Sequence, residues 1–224
     1  MESAADFGMD LRRHGGLGPA APPRCRRIGA VTGTYWDEQA DTFDDEPDHG
    51  LLDPAVRAAW GDALLPLLPA APARVADLGS GTGSLSVLLA EAGYEVAGLD
   101  LAPRMVEAAR AKAAAAGVDA RFEVGDAAAP PWAAGEFDVV LVRHVLWALP
   151  DPDAAVGRWV RLLRPGGRLV LVEGRWSTGG GLTAERVRHA VLRHRREADV
   201  TVLDDPALWG RAIQDERYVV TSRR

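Results

Sequence analysis

The segment from Val75 to Ser86, which reads VADLGSGTGSLS, constrains the fold more than any other part of the chain. A short apolar run ends in an acid, alternating glycines follow, and an apolar helical pattern then continues to Leu89. This order predicts a strand, a tight turn and a helix N-terminus. Glycines allow positive φ and close approach of a ligand to the backbone, and the free N–H groups of the helix favour a carboxylate or phosphate. The segment therefore predicts a binding site for a nucleotide-like ligand.

Strands and helices alternate along the rest of the chain. We predict strands at 74–78, 95–99, 120–124, 137–142 and 168–173, and helices at about 83–92, 103–116, 152–163 and 183–197. Such alternation is typical of parallel strands with right-handed crossovers and helices on both faces of the sheet. The strands at 200–203 and 218–222 are separated only by a short helix, which favours a late, antiparallel addition at the sheet edge. The predicted fold is a doubly wound α/β sheet.

The N-terminal part of the chain has two sections of different character. Residues 1–33 are rich in Gly, Pro, Ala and Arg without sustained periodicity, which predicts a disordered arm. Residues 35–53 contain eight acids and no Lys or Arg, with aromatic rings between them. A fully solvated acidic face needs no aromatic side chains, so one side of this section should pack on the protein. Asp53 and Pro54 then predict the N-cap and first residue of a helix.

Composition excludes several classes of protein. No apolar run approaches the ~20 residues that a membrane-spanning helix needs. The single cysteine, Cys25, excludes an intramolecular disulfide framework and favours a reducing compartment. Residues 1–30 have no continuous apolar segment of the kind that a secretory signal contains. The net charge of -6 argues against a broad phosphate-binding surface. We predict a cytoplasmic protein, monomeric or homodimeric, with one domain over residues 34–224.

Acids stand just past the ends of two predicted strands. In a doubly wound sheet, ligands bind beyond the carboxyl ends of the strands, where the strand order reverses. The second strand ends in Asp100, where a carboxylate can accept both hydroxyls of a ribose. The third strand runs into Asp126, where an acid can accept from the exocyclic amine of adenine. These acids predict a ligand that contains a nucleoside.

The glycine spacing argues against a dinucleotide. The pattern G-x-G-x-x-G/A fails from either starting glycine, because Ser84 or Ser86 stands at its last position. Asp77, two residues before the first glycine, would repel a pyrophosphate but suits an ammonium group. A ligand with amino-acid, ribose and adenine parts therefore fits these residues better than NAD does.

At this point the chain resembles the class I S-adenosylmethionine-dependent methyltransferases, in particular their small-molecule branch. The resemblance extends from about Tyr35 to the C-terminus and is carried by five segments in order: VADLGSGTGSLS, GLDLAPRMVEAAR, VGDAAAPPW, FDVVLVRHVLWALPDP and LLRPGGRLVLVEG. It implies S-adenosylmethionine as methyl donor and S-adenosylhomocysteine as product. It also implies a Rossmann-like seven-stranded sheet, mostly parallel, whose antiparallel C-terminal strand is 218–222. Residues 34–70 would form an N-terminal helical lid over the cofactor.

The resemblance also implies which residues bind the cofactor. Asp77, Gly79 and Gly81 would hold its methionine end, Asp100 its ribose, and Asp126 the adenine edge. The complete predicted cofactor set is Tyr35, Asp77, Gly79, Ser80, Gly81, Gly83, Asp100, Leu101, Met105, Asp126, Ala127 and Arg143. No metal ligand is predicted.

The acceptor site is predicted from the histidines, carboxylates and tryptophans near the same sheet edge. A hydroxyl acceptor needs a base with a pKa near working pH. His144, directly after the fourth strand, is the candidate base. The alternative is that His144 has a structural role or only lines the substrate site. The predicted lining residues are Trp36, His49, Trp147, Glu173 and Trp176. For His49 a surface position is the alternative, and for Trp147 a core position. The glycine-rich loop 177–181 after Trp176 is either a gate or a slack connection, and the eight acids slightly favour a cationic amine acceptor.

Three other functions remain open at this stage. A nucleic-acid methyltransferase is suggested by a basic helix that contains Arg186, Arg188, His189, Arg193, His194, Arg195 and Arg196. Against it, the D/N-P-P-aromatic pattern of enzymes that methylate base amines is absent after the fourth strand. A non-catalytic S-adenosylmethionine-binding protein shares the same motifs, and a dehydrogenase requires glycine spacing that the chain lacks. We predict methyl transfer to an N or O atom of a small molecule, in natural-product tailoring.

Overall fold

The computed structural model describes residues 33–223. Seven strands form one sheet in the order β3-β2-β1-β4-β5-β7-β6. Their bounds are β1 Arg74–Leu78, β2 Glu95–Asp100, β3 Ala120–Val124, β4 Phe137–Arg143, β5 Leu163–Arg175, β6 Asp199–Val202 and β7 Glu216–Ser222. The first five strands pair in parallel, whereas β7 is antiparallel to both β5 and β6. The prediction of a doubly wound, mostly parallel sheet with an antiparallel C-terminal strand is confirmed.

Helices follow the predicted alternation, and several of them begin at a side-chain cap. Their bounds are α1 Gly33–Gln39, α2 Pro47–Gly50, α3 Pro54–Leu64, α4 Ser84–Glu91, α5 Pro103–Ala116, α6 Pro152–Leu162, α7 Ala184–Leu192 and α8 Pro206–Trp209. Asp53 caps α3 as predicted, since its carboxylate accepts a hydrogen bond from the Ala55 N–H at 2.8 Å. Asp151, Thr183 and Asp205 cap α6, α7 and α8 in the same manner.

The two faces of the sheet carry separate hydrophobic cores. Trp159 of α6 and Val187 of α7 are fully buried on one face. On the other face, α3, α4 and α8 contribute Trp60, Leu89 and Trp209. The Trp60 indole also donates to the Leu208 carbonyl at 2.8 Å, which ties α3 to α8. The strand order reverses between β1 and β4, so the carboxyl ends of these two strands form the crevice in which a ligand of this fold binds.

The end of α7 and the start of β5 differ most from the sequence prediction. Helix α7 ends at Leu192 and not at residue 197, because Arg195 turns back and donates to the Ser222 hydroxyl at 3.1 Å and the Gly167 carbonyl at 2.8 Å. Strand β5 begins at Leu163, ahead of the predicted residue 168. The predicted disordered arm lies outside the described residues except for Gly33, which begins α1.

Neither a membrane-spanning helix nor a metal-binding cluster is found in the described part of the chain. Within residues 33–223, no helix is long and apolar enough to cross a membrane. Over the same residues, no group of three or more His, Cys, Asp or Glu side chains is placed to hold a metal ion.

Candidate functional site

The glycine turn between β1 and α4 is built as the sequence predicts. Gly79, Gly81 and Gly83 have φ values of +72°, +54° and +78°, a region that other residues rarely adopt. A Cβ at Gly79 would lie 2.2 Å from a methyl carbon of Val145. The N–H groups of Gly79 and Ser80 both donate to the Leu99 carbonyl, at 2.7 and 3.0 Å. The turn is therefore fixed to the end of β2 and closely approached by the segment that follows β4.

Two acids that the sequence placed at this turn are buried beside it. The Asp100 carboxylate accepts from the Gly81 N–H at 2.8 Å and from the Ala102 N–H at 2.9 Å. Burial raises the pKa of Asp100 above its ordinary value, although these backbone hydrogen bonds oppose the shift. Asp77 accepts from the Ser86 hydroxyl at 2.6 Å, and burial raises the pKa of Asp77 to about 6. Both carboxylates thus lie at the carboxyl ends of β1 and β2, where the predicted ligand would bind.

The remaining predicted cofactor residues occupy different environments. Leu101 is 41% exposed, whereas Met105 of α5 is buried at 1%. Asp126 is exposed at the end of β3, and its Oδ1 accepts from the Ala128 N–H at 2.7 Å. Ala127 is buried, and its carbonyl accepts from the Trp159 indole at 2.7 Å. The roles of these four residues in cofactor binding stay predictions. Met105 is a buried residue of α5.

Residues 33–53, here called the cap segment, lie over the glycine turn. A Cβ at Gly81 would be 3.2 Å from the Phe43 ring. Asp44 accepts from the Thr82 hydroxyl at 2.5 Å and pairs with the Lys112 ammonium at 2.8 Å. Lys112, on α5, also donates to the hydroxyls of Thr82 and Ser84 at 3.0 and 2.6 Å. The cap segment is therefore held to both the turn and α5.

Further acids of the cap segment are bound by arginines. The Arg104 N–H donates to the Asp37 carboxylate at 2.8 Å, and its guanidinium pairs with Asp41 at 2.5 Å. Arg211 pairs with Glu46 at 3.1 Å. Because these acids already have cationic or backbone partners, the hypothesis that they attract a cationic acceptor loses its basis. Their observed contacts fasten the cap segment.

The aromatic residues of the cap segment pack on one another. The Trp36 ring lies 5.0 Å from Tyr35 and 6.3 Å from Phe43, both in edge-on contact. The His49 ring stacks on Phe43 at 4.3 Å. Burial of the His49 side chain lowers its pKa. His49 is therefore half-buried against Phe43, and its role in lining the acceptor site stays a prediction.

Arg143, at the end of β4, contacts the cap segment and α3. Its guanidinium donates to the Asp48 carbonyl and lies 5.3 Å from the centroid of the Trp60 ring. Burial lowers the pKa of Arg143, and the nearby carboxylates of Asp48 and Asp77 oppose that shift. A buried guanidinium thus links the cap segment to the switch point of the sheet. Contact with a cofactor remains a prediction for this residue.

His144 follows in a strained backbone conformation. Its φ is +57°, which is uncommon for a residue other than glycine. Its Nδ1 is buried and has no hydrogen-bond partner among the described residues. Burial, together with the positive charges of Arg143 and Arg217, lowers the pKa of His144 well below its ordinary value. The imidazole is therefore neutral at physiological pH and can accept a proton.

Glu173 is fully buried on β5 and supports the segment that follows His144. Its Oε1 accepts from the N–H groups of Val145 and Leu146 at 3.0 and 2.7 Å, while Oε2 has no partner within residues 33–223. Burial raises the pKa of Glu173 to about 8, so the carboxyl carries a proton at neutral pH. Its observed role is to position the turn after β4, whereas the sequence predicted that it lines the substrate site.

Tryptophans from three parts of the chain surround His144. We define the tryptophan wall as Trp147, Trp176 and Trp209. Trp176 lies 5.4 Å from both the His144 and the Trp147 rings, and Trp209 lies 6.2 Å from His144. Trp147 and Trp176 are half-buried, as lining residues would be, and Trp147 is thus outside the core. The Trp147 indole donates to the His144 carbonyl at 2.8 Å.

Sequence reasoning missed Trp209 and Arg217. Arg217, at the start of β7, places its guanidinium 5.0 Å from the Trp176 ring and 5.1 Å from the Trp209 ring. Neither residue belongs to a local motif, and each reaches the site only through the packing of α8 and β7. A cation and an aromatic ring near the C-terminal strand were the only signals present in the sequence.

The glycine-rich loop after β5 is a tight, hydrogen-bonded turn. The Trp176 N–H donates to the Gly180 carbonyl at 3.0 Å, and the Leu182 N–H donates to the Gly174 carbonyl at 2.9 Å. A Cβ at Gly181 would lie 2.5 Å from the Trp176 ring. The glycines thus permit the loop to wrap this tryptophan, which argues against a slack connection.

The basic helix uses its arginines within the fold. Arg186 pairs with Asp153 at 2.9 Å, and Arg188 donates to the Ala198 carbonyl at 3.1 Å. Arg195 binds the end of β7 as described above. Because these cations already have partners, the structure gives little support to a phosphate-binding surface here.

The raised pKa of Glu173 predicts a pH dependence of stability. The folded protein keeps this proton up to about pH 8, whereas the unfolded chain loses it near 4.5, so the free energy of unfolding should fall as the pH rises between these values. Glu173→Gln preserves an acceptor oxygen and removes the titration. We expect its stability relative to wild type to increase by about 2 to 4 kcal/mol between roughly pH 5 and pH 8.

Urea denaturation at several pH values measures this difference. Glu91→Gln changes an exposed carboxylate on α4 and is the matched control, expected to show no such trend. A constant difference between wild type and Glu173→Gln across the pH range would contradict the prediction.

Comparison with known proteins adds to this geometry. Residues 76–171 match the family described as a methyltransferase domain. The chain is 44% identical over 108 residues to demethylmenaquinone methyltransferase of Thermus thermophilus, covering 47% of this chain and 49% of that protein. It is 36% identical over 148 residues to a ubiquinone biosynthesis O-methyltransferase of Xanthomonas axonopodis, covering 65% and 58%. The chain thus spans about half the length of these relatives.

A solved structure shows the same fold. A SAM-dependent methyltransferase from Thermotoga maritima superimposes with a TM-score of 0.64 at 18% identity, covering 85% of this chain and 99% of that one. The residues that match the methyltransferase domain family, 76–171, run from β1 into β5. They contain the glycine turn, Asp100 and His144. Residues 76–171 therefore match a methyltransferase domain, and the seven-stranded sheet has the class I methyltransferase fold.

Proposed function

We propose that this protein transfers a methyl group from S-adenosylmethionine to an oxygen or nitrogen atom of a small-molecule acceptor. The observation that carries the proposal is the position of His144 at the end of the strand beside the glycine turn, where its imidazole is neutral and its Nδ1 has no partner among the described residues. The family match and the methyltransferase relatives support the reaction class. Both named relatives carry quinone-pathway names, which supports a small organic acceptor for this chain.

The residues at the turn fit the proposed cofactor. Three glycines with positive φ form the turn at the N-terminus of α4, and the buried Ser80 hydroxyl has no partner among the described residues. Asp100 would hold the ribose, and Asp77 would face the amino-acid end. When bound, S-adenosylmethionine supplies an electrophilic methyl group on a sulfonium centre. The protein then acts mainly by holding the acceptor in line with that methyl group.

His144 would serve as the general base for a hydroxyl acceptor. Its backbone is fixed by the hydrogen bond from the His144 backbone N–H to the Val172 carbonyl, and Trp176 and Trp209 flank its ring. Its lowered pKa keeps the imidazole neutral and makes it a weaker base than a free histidine. The ring nitrogen that carries no proton can accept the proton that the acceptor loses. An amine acceptor would need only positioning and a route for its proton.

The cap segment would act as a lid over the cofactor. Phe43 covers Gly81, and ion pairs from Asp41, Asp44 and Glu46 fasten the segment to α5 and to Arg211. A ligand as large as S-adenosylmethionine would enter when these contacts open.

Cofactor binding is the first test. Asp100→Ala removes the carboxylate assigned to the ribose, and we expect calorimetric affinity for S-adenosylhomocysteine to fall about 100-fold or more. Asp151→Ala is the control, because Asp151 also accepts a backbone N–H but caps α6. Tight binding of NAD, or no binding of S-adenosylhomocysteine by wild type, would overturn the proposed function.

Replacement of His144 tests the base. Asn tolerates positive φ and is no base at neutral pH, so His144→Asn preserves the backbone while removing the proton acceptor. We expect kcat with a hydroxyl acceptor to fall about 100-fold or more, with S-adenosylhomocysteine affinity within about threefold of wild type. An unchanged kcat would show that His144 only lines the site.

Ionic fastening of the lid predicts salt-dependent cofactor exchange. Lys112→Met removes the ion pair with Asp44, and we expect S-adenosylhomocysteine to dissociate about 2- to 10-fold faster in stopped-flow displacement. The wild-type rate should rise with salt, and the variant should respond less. Arg74→Gln removes a surface ion pair with Glu136 at the start of β1, at the opposite end of the strand from the glycine turn, and should dissociate like wild type. Equal rates in all three proteins would contradict a lid role.

A further inference from the structure

We propose that Arg217 and the tryptophan wall form an acceptor subsite for a planar aromatic molecule that carries both a hydroxyl and a carboxylate. This inference rests on the proposed function and names the substrate class of that site. In it, Arg217 binds the carboxylate while the hydroxyl lies toward His144. Four observations support it: a guanidinium between two rings, its unpartnered donors, its position relative to His144, and the charges around it.

The Arg217 guanidinium is held between two aromatic faces. Its carbon lies 5.0 Å from the Trp176 centroid and 5.1 Å from the Trp209 centroid, within the range of cation–π contacts. In the β5–β7 register, Arg217 stands opposite Gly174. A Cβ at Gly174 would be 2.8 Å from the Arg217 Nη1. A glycine at this position therefore leaves the room in which the guanidinium lies.

Several donors of this buried guanidinium have no partner. Nη2 donates to the Asp215 carboxylate at 3.2 Å. Nε and Nη1 are buried and make no hydrogen bond within the described residues, and the side chain is only 11% exposed. Unpaired donors on a buried charge are costly. A carboxylate oxygen would satisfy them with charge-assisted hydrogen bonds.

The same two rings flank the candidate base. Trp176 is in edge-on contact with the His144 ring, and Trp209 is tilted against it. The positive charge of Arg217 also contributes to the lowered pKa of His144. Arg217 and His144 thus contact the same two rings, Trp176 and Trp209. The Trp147 and Trp176 rings, at 66° to each other, offer apolar surface for a flat acceptor.

The charged groups that surround Arg217 are of both signs. Asp215 compensates Arg217 from one side, and Asp48 is a more distant anion. Glu173, the other nearby carboxyl, is protonated at neutral pH because burial raises its pKa to about 8. It therefore does not repel an anionic acceptor. Arg143 adds a second buried cation beside His144.

The test compares two probes of similar shape, one with a carboxylate and one with a neutral carboxamide in its place. Binding of protocatechuate, a catechol with one carboxylate, and of its neutral carboxamide is measured calorimetrically on the full chain saturated with S-adenosylhomocysteine. We expect protocatechuate to bind about 10- to 100-fold more tightly. Equal affinities, or no binding of either probe, would overturn the subsite.

Variants at Arg217 separate ligand binding from a structural role. Arg217→Gln should reduce the preference for the carboxylate to about twofold or less, with carboxamide affinity unchanged, and Arg217→Lys should retain part of the preference. Arg175→Gln, an exposed neighbour on β5, is the control and should keep the full preference. An equal loss of both probes in the Arg217 variants would mean that Arg217 only supports the tryptophans, and a preference that persists in Arg217→Gln would also overturn the proposal.

Affinity for S-adenosylhomocysteine is measured in each protein. If wild type binds this ligand but does not distinguish the probes, only the subsite is wrong. If wild type does not bind S-adenosylhomocysteine, the proposed function is wrong, and the subsite that rests on it is wrong as well.

Discussion

The junction of the glycine turn with the end of β2 is the constraint on which the site depends. The Leu99 carbonyl accepts from Gly79 and Ser80, and the next residue, Asp100, accepts from Gly81. These bonds fix the turn against the neighbouring strand. The positive φ values favour glycine at three positions of the turn. Because the strand order reverses beside β1, the same turn also borders the end of β4. The cofactor residues and the candidate base are therefore brought to one edge of the sheet.

Buried charges around this edge are either compensated or neutralised. Arg143 is satisfied by a carbonyl of the cap segment and an aromatic face. Glu173 is protonated at neutral pH, so no charge is buried at this position. Its carboxyl still orders the turn after β4 by accepting from two backbone N–H groups. Arg217 is an exception in part, since Asp215 pairs with its Nη2 while its Nε and Nη1 have no hydrogen-bond partner among the described residues. That exception directs attention to the acceptor side of the site.

Local sequence predicted much of this architecture. The bounds of β1, β3 and α5 agree with the prediction, because hydrophobic periodicity, proline starts and glycine stops are local signals. The glycine turn and the acid after β2 were also found, since they are encoded by spacing along the chain. Helix α7 was predicted too long because a tertiary contact of Arg195 turned the chain.

The sequence by itself determined the order of strands and helices, the turn, and the presence of acids and a histidine at strand ends. Only the tertiary structure decided which side chains meet across the site. Trp60 bonds to Leu208 across 148 positions, and Trp209 and Arg217 join Trp176 through the antiparallel pairing of β7 with β5. Such contacts form only when the whole sheet and its covering helices are assembled. The 2- and 3.6-residue periodicities of strands and helices therefore do not predict them.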